Sequence, residues 1–316
     1  MHAEPDPGRP GVRQPGGAAE ITRPGGGLAV SGPGTSGAVT DVPRILLNNG
    51  VEIPQLGFGV YQVPPEDTAD VVRTALDLGY RHIDTAQMYG NEAGVGQAVA
   101  ESGLDRDDVF ITSKLNNNNH SRDRALASVE ESLARLGTDH LDLFLIHWPL
   151  PEVGDYVHTW HAMEEIYRAG KARAIGVSNF QPHHLRRLLA AGEVVPAVNQ
   201  VEVHPYLINQ EVREFDAEHG IVTEAYSPIA QGKVLGDPVL VAIADRLGRT
   251  PAQVALRWAV QRGDVVFPKS VTRARIEENF RLFDLELTPD DVAAITALDR
   301  HERTAPDPDT FNYVPS

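Results

Sequence analysis

The feature that most constrains the fold is a regular alternation of strand-like and helix-like segments from about residue 44 to the end of the chain. The strand-like runs are short and apolar. The helix-like runs repeat apolar side chains at helical spacing, as at Leu126, Val129, Leu133 and Leu136. Eight strand candidates within about 270 residues predict an α/β fold of the (β/α)8 TIM-barrel class.

The competing α/β architecture is a doubly wound sheet, which favours a Gly-x-Gly-x-x-Gly sequence after its first strand. The nearest match, Gly94-Val95-Gly96, lacks the third glycine and lies in a helix-like run, so the barrel is preferred. Asn49-Gly50 stands between two apolar runs and predicts an N-terminal β-hairpin ahead of the barrel.

Residues 1–43 are rich in proline and glycine and carry few large apolar side chains. Such a segment cannot offset its ordering entropy by burial. We therefore predict a disordered Pro/Gly-rich tail over 1–43 and one barrel domain over 44–316.

The charge balance is acidic, with 28 Lys+Arg against 44 Asp+Glu and a formal net charge of −16. That sign repels nucleic acid and anionic lipid, so neither is expected as a partner. The chain has no cysteine, which excludes disulfides, thiolate metal sites and cysteine nucleophiles. With no long apolar run and no signal-peptide pattern, a cytoplasmic location is expected.

Three successive strand-like runs end in reactive side chains, namely Asp84, Lys114 and His147, and Tyr89 follows the first of them by five residues. In a (β/α)8 barrel the reacting groups collect at the carboxyl ends of the strands. We therefore expect these four residues to meet. Each of them alone is more often structural, as a helix cap, a solvated lysine or a core histidine or tyrosine, so the prediction depends on their combination.

The four residues form a chemically consistent proton relay. A phenol titrates near pH ~10, and a nearby ammonium group lowers that pKa. A buried lysine is costly unless a carboxylate pairs with it. Asp84 is thus expected to hold Lys114, which tunes Tyr89 as proton donor, while His147 orients a carbonyl oxygen.

The second half of the chain supplies groups that suit a nucleotide. Hydrogen-bonding or aromatic side chains follow later strand-like runs at Ser178, Asn179, Gln200, Tyr226 and Ser227. Cations, a hydroxyl and polar groups surround a predicted helix start at Lys269, Ser270, Arg275, Glu278 and Asn279. A helix N-terminus with cations favours phosphate. Helix capping and a solvated helix start are the alternatives.

The chain from about residue 44 resembles the aldo-keto reductases, especially the bacterial 2,5-diketo-D-gluconate reductase-like branch. The segments that carry the resemblance are Gly79–Ala86, Tyr89–Glu92, Ile146–Pro149, Gly176–Phe180, Asn199–Glu202 and Pro268–Ser270. This resemblance implies a barrel that reduces aldehydes and ketones with NADPH and needs no metal.

The resemblance also implies a role for each matching residue. Tyr89 would be the general acid, with Asp84, Lys114 and His147 completing a tetrad. Ser178, Asn179 and Gln200 would hold the carboxamide, and Tyr226, with Ser227 beside it, would lie against the nicotinamide ring. The adenosine end and its 2′-phosphate would be held by Lys269, Ser270, Arg275, Glu278 and Asn279.

The departures from the family lie in the predicted substrate pocket, which includes Tyr61 and Trp148. Tyr61 and Asn116 stand where tryptophan is common in the family, so the pocket is expected to be more polar or roomier. Small dicarbonyls, keto sugars and keto acids are the substrates considered, and a monomer is expected. The alternatives are a cofactor-binding, non-catalytic barrel that senses redox state and a metal-dependent hydrolase using Asp84 and His147. The scarcity of clustered histidines and carboxylates disfavours the hydrolase.

Overall fold

The structure is a computed structural model that describes residues 42–315. The tail predicted over 1–43 lies outside the described residues except for its last two. Val42 packs against the hydrophobic core, and the Pro43 carbonyl oxygen accepts a 2.8 Å hydrogen bond from the Gln55 amide. No helix among residues 42–315 has the length and apolar character needed to cross a bilayer.

The barrel consists of eight parallel strands that pair with one another in chain order. It is preceded by the two strands of an antiparallel hairpin. The strands are β1 Arg44–Leu46, β2 Glu52–Pro54, β3 Phe58–Gly59, β4 His82–Asp84, β5 Phe110–Leu115, β6 Leu141–Ile146, β7 Ala172–Ser178, β8 Val198–Glu202, β9 Val222–Tyr226 and β10 Val265–Val266. A parallel bridge pairs Leu56, two residues before β3, with Val266 of β10, and the Gly57 amide donates to the Val266 carbonyl over 2.9 Å. The sheet therefore closes, and the predicted (β/α)8 barrel is confirmed.

Helices cover the outside of the barrel. They are α1 Pro65–Asp77, α2 Glu92–Glu101, α3 Arg122–Leu136, α4 Tyr156–Arg168, α5 Pro182–Ala191, α6 Gln210–Glu218, α7 Pro238–Leu247, α8 Pro251–Gln261, α9 Arg273–Phe280 and α10 Pro289–Thr296. Thr250 and Thr288 cap α8 and α10 through capping boxes, with proline in the first turn of each. Gly94 and Gly96 lie within α2, and a side chain at Gly96 would clash with the Leu136 backbone. These glycines therefore serve close helix packing.

The hairpin closes the amino end of the barrel. Gly50 takes a φ of +87° in its turn, as the Asn-Gly pair predicts. The Asn48 and Asn49 side chains donate to the carbonyls of Pro196 and Arg173, at the starts of β8 and β7. Inward-facing residues of the hairpin and the barrel form one apolar cluster, which includes Leu47, Ile53, Phe110, Leu143, Leu145, Val198, Val265 and Phe267. The hairpin is thus the floor of the barrel.

The turn from α1 into β4 depends on a glycine. Gly79 has a φ of +108°, and its amide donates to the Leu76 carbonyl at the end of α1. The chain leaves the helix through this residue in a left-handed conformation, which only glycine adopts readily. β4 then begins at His82 and ends at Asp84.

Candidate active site

The carboxyl ends of three adjacent strands bring the predicted tetrad together. Asp84 is the last residue of β4, Lys114 lies one residue before the end of β5, and His147 directly follows β6. A short 3-10 helix, Gln87–Tyr89, follows β4 and returns Tyr89 to the same rim. The parallel register places Asp84 opposite Thr112 and Lys114 opposite Leu145, so the three strand ends lie side by side.

Lys114 is the centre of the group and has 0 % exposure. Its Nζ donates to both carboxylate oxygens of Asp84 at 2.7 Å, to the Thr85 carbonyl at 2.9 Å and to the Tyr89 hydroxyl at 3.5 Å. The cost of burying the ammonium is offset by a carboxylate and further oxygens. The pairing of Asp84 with Lys114 that the sequence predicted is therefore present.

Tyr89 differs from the sequence expectation in the direction of its pKa. The side chain is half-buried, and its hydroxyl lies against the fully buried Nζ of Lys114. Burial, followed by the charge of Asp84, raises the pKa of Tyr89 well above its usual value. The expected lowering fails because the ammonium makes its shortest contacts with Asp84, which cancels most of its charge at the phenol. In this arrangement Tyr89 keeps its proton at neutral pH.

His147 lies edge-on to Tyr89, with ring centroids 5.8 Å apart. Burial and the charge of Lys114 lower the pKa of His147 well below its usual value, so the ring is neutral. Its Nδ1 is buried without a hydrogen-bond partner among the described residues. His120 also contributes to this lowering, and the sequence did not single it out. A neutral imidazole at this position can hydrogen-bond a carbonyl oxygen without competing for its proton.

Two side chains that the sequence analysis did not single out hold the segment with Tyr89 in place. Asn91 accepts from the Thr85 hydroxyl at 2.8 Å and donates to the carbonyls of Val60 and Val63. Gln87 Oε1 accepts from the amide of Asn116 at 2.9 Å. The loop that carries Tyr89 is thus fixed to the loops after β3 and β5 by bonds between residues distant in sequence, which no local pattern reveals.

The residues predicted for the nicotinamide side also come together. Asn179 donates to the His147 carbonyl at 3.0 Å and accepts from the Tyr226 hydroxyl at 2.7 Å. The Ser178 hydroxyl donates to the Gln200 carbonyl at 2.9 Å. Asn179 has a φ of +66°, a left-handed conformation that asparagine tolerates. Ser227, also left-handed at +49°, follows Tyr226 at the end of β9.

Gln200 connects the tetrad to a buried acid that the sequence analysis passed over. Its Nε2 donates to Asp84 at 3.0 Å and to Glu224 at 2.8 Å. Both side-chain amide hydrogens are used, so the side-chain oxygen Oε1 of Gln200 is the atom left for a ligand. Glu224 is fully buried, and burial followed by the charge of Asp84 raises its pKa to about 8.

The residues predicted for the adenosine end surround the start of α9. Lys269 and Arg275 are exposed, and neither forms a salt bridge within residues 42–315. Arg273, which the sequence analysis did not single out, is a third exposed cation there. Ser270 accepts from the Thr272 amide at 3.1 Å, and Asn279 is buried on α9. Glu278 accepts from the Thr250 hydroxyl at 2.7 Å, so its carboxylate is already engaged.

The two residues predicted for the substrate pocket differ in exposure. Tyr61 is 54 % exposed, and its ring lies 5.1 Å from that of Tyr89. Trp148 is buried and packs against Phe311 of the C-terminal segment at 4.3 Å between ring centroids. Phe311 is a neighbour that the sequence did not indicate.

One group of three potential metal ligands occurs within residues 42–315, formed by His183, His184 and Asp309. None of them belongs to the tetrad. His184 Nδ1 accepts the Gln181 amide proton, and burial lowers the pKa of His184 to about 4. The neutral ring therefore carries its proton on Nε2, the nitrogen that faces Asp309, and that atom is unsuited to a metal.

Fold and site together define a class, namely oxidoreductases built on a (β/α)8 barrel with a Tyr-Lys-Asp-His centre. The sequence pattern described as "Aldo/keto reductase family" matches residues 55–300. This chain belongs to the aldo/keto reductase family, and it is an oxidoreductase that acts on carbonyl compounds.

Two relatives and one solved structure illustrate the similarity. An aldo-keto reductase of Mycolicibacterium smegmatis is 51 % identical over 272 residues, which cover 86 % of this chain and 99 % of that protein. The glyoxal reductase of Bacillus subtilis is 48 % identical over 270 residues, or 85 % of this chain and 97 % of that protein. The aldo-keto reductase AKR2E4 of Bombyx mori, solved in complex with NADP, is 35 % identical with a TM-score of 0.82. The match covers 87 % of this chain and 98 % of that chain.

Proposed function

We propose that this protein reduces small aldehydes and ketones, α-dicarbonyls foremost, with NADPH as the reductant and Tyr89 as the general acid. The observation that carries the proposal is the buried Lys114 ammonium, held between the Asp84 carboxylate and the Tyr89 hydroxyl. This arrangement places a protonated phenol and a neutral imidazole at one rim of the barrel.

The side chains act on the carbonyl oxygen. His147, neutral and edge-on to Tyr89, orients the oxygen, and Tyr89 donates its proton as negative charge develops there. Lys114 stabilises the phenolate that Tyr89 becomes, and Asp84 keeps the ammonium in place. The ammonium thus offsets part of the cost that burial and the Asp84 charge impose on the phenolate.

NADPH, when bound, supplies the hydride. Tyr226 offers a ring face at the end of β9, and the side-chain oxygen Oε1 of Gln200 can accept from a carboxamide. Lys269, Arg273 and Arg275 provide the charge that a 2′-phosphate needs at the start of α9. These cations are exposed and have no acidic partner among residues 42–315, and this observation favours a phosphorylated cofactor over NADH.

The pocket and one relative support the proposed substrate class. Tyr61 and Asn116 give polar groups near the tetrad, and the glyoxal reductase of Bacillus subtilis is named for a small dicarbonyl. Such substrates carry a second oxygen, which polar residues can bind.

The test measures NADPH oxidation with glyoxal, methylglyoxal, a keto sugar and a keto acid, with and without a chelator. We expect the largest kcat/KM for the dicarbonyls and no effect of chelation. Binding of NADPH without turnover of any carbonyl would favour the redox-sensing alternative, and the highest kcat/KM for a keto sugar or keto acid would overturn the substrate class.

A further inference from the structure

Glu202 is a buried carboxylate at the carboxyl end of β8 for which the reduction itself has no use. Its side chain is 1 % exposed. It accepts hydrogen bonds from His204 Nε2 at 3.0 Å, from the Thr304 amide at 2.7 Å and from the Ala305 amide at 3.2 Å. The Thr304 hydroxyl donates to it as well. A carboxylate with four donors is a strong anchor.

Three of these four donors come from the C-terminal segment, about a hundred residues away in sequence. Burial alone would raise the pKa of Glu202, but the bonds from His204, Thr304 and Ala305 lower it, so the group is a carboxylate at neutral pH. Glu202 therefore binds the segment by charge-assisted bonds.

Beyond this anchor the C-terminal segment runs along the rim that carries the tetrad. The Phe311 ring packs on Trp148, which directly follows His147. Asn312 accepts from the Glu152 amide at 2.9 Å, and the Tyr313 carbonyl accepts from the Asn117 side chain at 2.8 Å. Residues 304–313 are thus fixed at one end above β8 and at the other to the loops after β5 and β6.

The anchor also lies beside the residues proposed for the cofactor. Glu202 pairs in register with Tyr226 of the neighbouring strand, and Gln200 lies two residues earlier on the same face of β8. One strand end therefore sets the position of both the ring platform and the C-terminal segment.

We propose that Glu202 is a positioning residue that holds residues 304–313 as a wall of the carbonyl pocket and so sets the affinity for the carbonyl substrate. This inference rests on the proposed function. Loss of the carboxylate frees the segment and opens the pocket while the tetrad keeps its own bonds. The effect falls on KM for the carbonyl rather than on kcat or on NADPH affinity.

The test compares Glu202→Gln with a matched control, Glu302→Gln. Glu302 lies two residues before the segment 304–313, and its partners are the surface residues Lys233 and Arg300. In Glu202→Gln the new amide opposes donors, and we expect KM for the carbonyl to rise about tenfold with kcat within about threefold, the change for one lost charge-assisted bond. Glu302→Gln is expected to match the wild type. Equal KM values in Glu202→Gln and wild type would overturn the proposal.

A second readout needs no turnover. The chain has three tryptophans, and Trp160 and Trp258 have 0 % exposure, whereas Trp148 is covered by Phe311. Release of the segment exposes Trp148, so acrylamide quenching of fluorescence should rise in Glu202→Gln and not in Glu302→Gln. Unchanged quenching in Glu202→Gln would show that Glu202 does not hold the segment, even if the protein reduces no carbonyl. This readout therefore separates the inference from the proposed function.

A conservative variant covers the case in which Glu202→Gln does not fold. Thr304→Val removes the hydroxyl donor and leaves the amide bond to Glu202 in place. We expect a smaller rise in KM and in quenching than in Glu202→Gln, with an unchanged dissociation constant for NADPH. A wild-type KM and wild-type quenching in Thr304→Val, with Glu202→Gln unfolded, would assign Glu202 to stability alone and overturn the proposal.

Discussion

The tetrad and the cation cluster at the start of α9 both contain cationic side chains, but they are built in opposite ways. Lys114 is fully buried and bound to three oxygens within 2.9 Å. Lys269, Arg273 and Arg275 are exposed and lack acidic partners within residues 42–315. The ammonium of the first site is paired within the protein, whereas no acidic side chain of the described residues neutralises the charge of the second.

This difference predicts how each site responds to change. A substitution in the tetrad removes a group from a preorganised network, so it alters the rate and the stability of the fold. A substitution in the cation cluster removes a contact that exists only in the complex, so it alters cofactor affinity and leaves the fold intact. The following experiments test this contrast.

The largest effect is expected for Tyr89→Phe, which removes the proton and little volume. We expect carbonyl reduction to fall by ~10²–10⁴-fold, the usual contribution of a general acid, with NADPH affinity retained. Steady-state rates and cofactor titration measure the two. Tyr167→Phe, at a half-buried tyrosine on α4, is the control and should behave as wild type. Turnover within tenfold of wild type would show that another group supplies the proton.

Lys114→Met should lose comparable activity and also stability. It leaves the Asp84 carboxylate buried without its ammonium, which costs about 3–5 kcal/mol in free energy of unfolding. Thermal and denaturant unfolding measure this loss. The double variant Asp84→Asn/Lys114→Met removes both charges and should regain stability without regaining activity. If Lys114→Met has the melting temperature of the wild type, then Lys114 and Asp84 are not energetically coupled, and the contrast between the two sites fails.

Arg275→Ala tests the open site. We expect NADPH affinity to fall by roughly ten- to a hundredfold through loss of charge-assisted bonds to phosphate, with little change for NADH or in melting temperature. The penalty should shrink as salt rises, because the site is exposed. Arg281→Ala, at the other end of α9 and paired with Glu277, is the matched control. Equal weakening of both cofactors would remove Arg275 from the 2′-phosphate.

The smallest effect is expected for Glu224→Gln. This substitution tests the buried site, because Glu224 shares the Gln200 side chain with Asp84 of the tetrad. The pKa of Glu224 lies at about 8 when folded against 4.5 as the ordinary value. The folded protein therefore holds a proton that the unfolded chain releases, and stability from this group is present below pH 4.5 and is lost as pH rises to about 8. Melting temperatures of the variant should fall less than those of the wild type across this window. Parallel curves would show that Glu224 does not titrate there.

The sequence predicted the parts of this molecule that follow local rules. Alternating segments predicted the barrel, Asn49-Gly50 predicted the hairpin, and the positions of Asp84, Lys114 and His147 at strand ends predicted their meeting. All of these depend on periodicity or on neighbours in the chain.

The remainder depends on distances that the sequence does not contain. Asn91, Glu224 and Glu202 acquire their partners from segments tens to about a hundred residues away. The pKa of Tyr89 is raised first by burial and then by the charge of Asp84. Lys114 Nζ lies 2.7 Å from the Asp84 carboxylate and 3.5 Å from the Tyr89 hydroxyl, so its charge does not reverse that direction. Neither the burial nor these distances can be read from the sequence.

The hairpin floor limits access to the barrel to one end. Because Leu47 and Ile53 fill the amino end, ligands enter and leave at the carboxyl rim, where the tetrad lies. Substrate and product therefore share one opening, and the C-terminal segment lies along its edge. A protein attached to a surface through its exposed Asn49-Gly50 turn would therefore have that opening facing the solution.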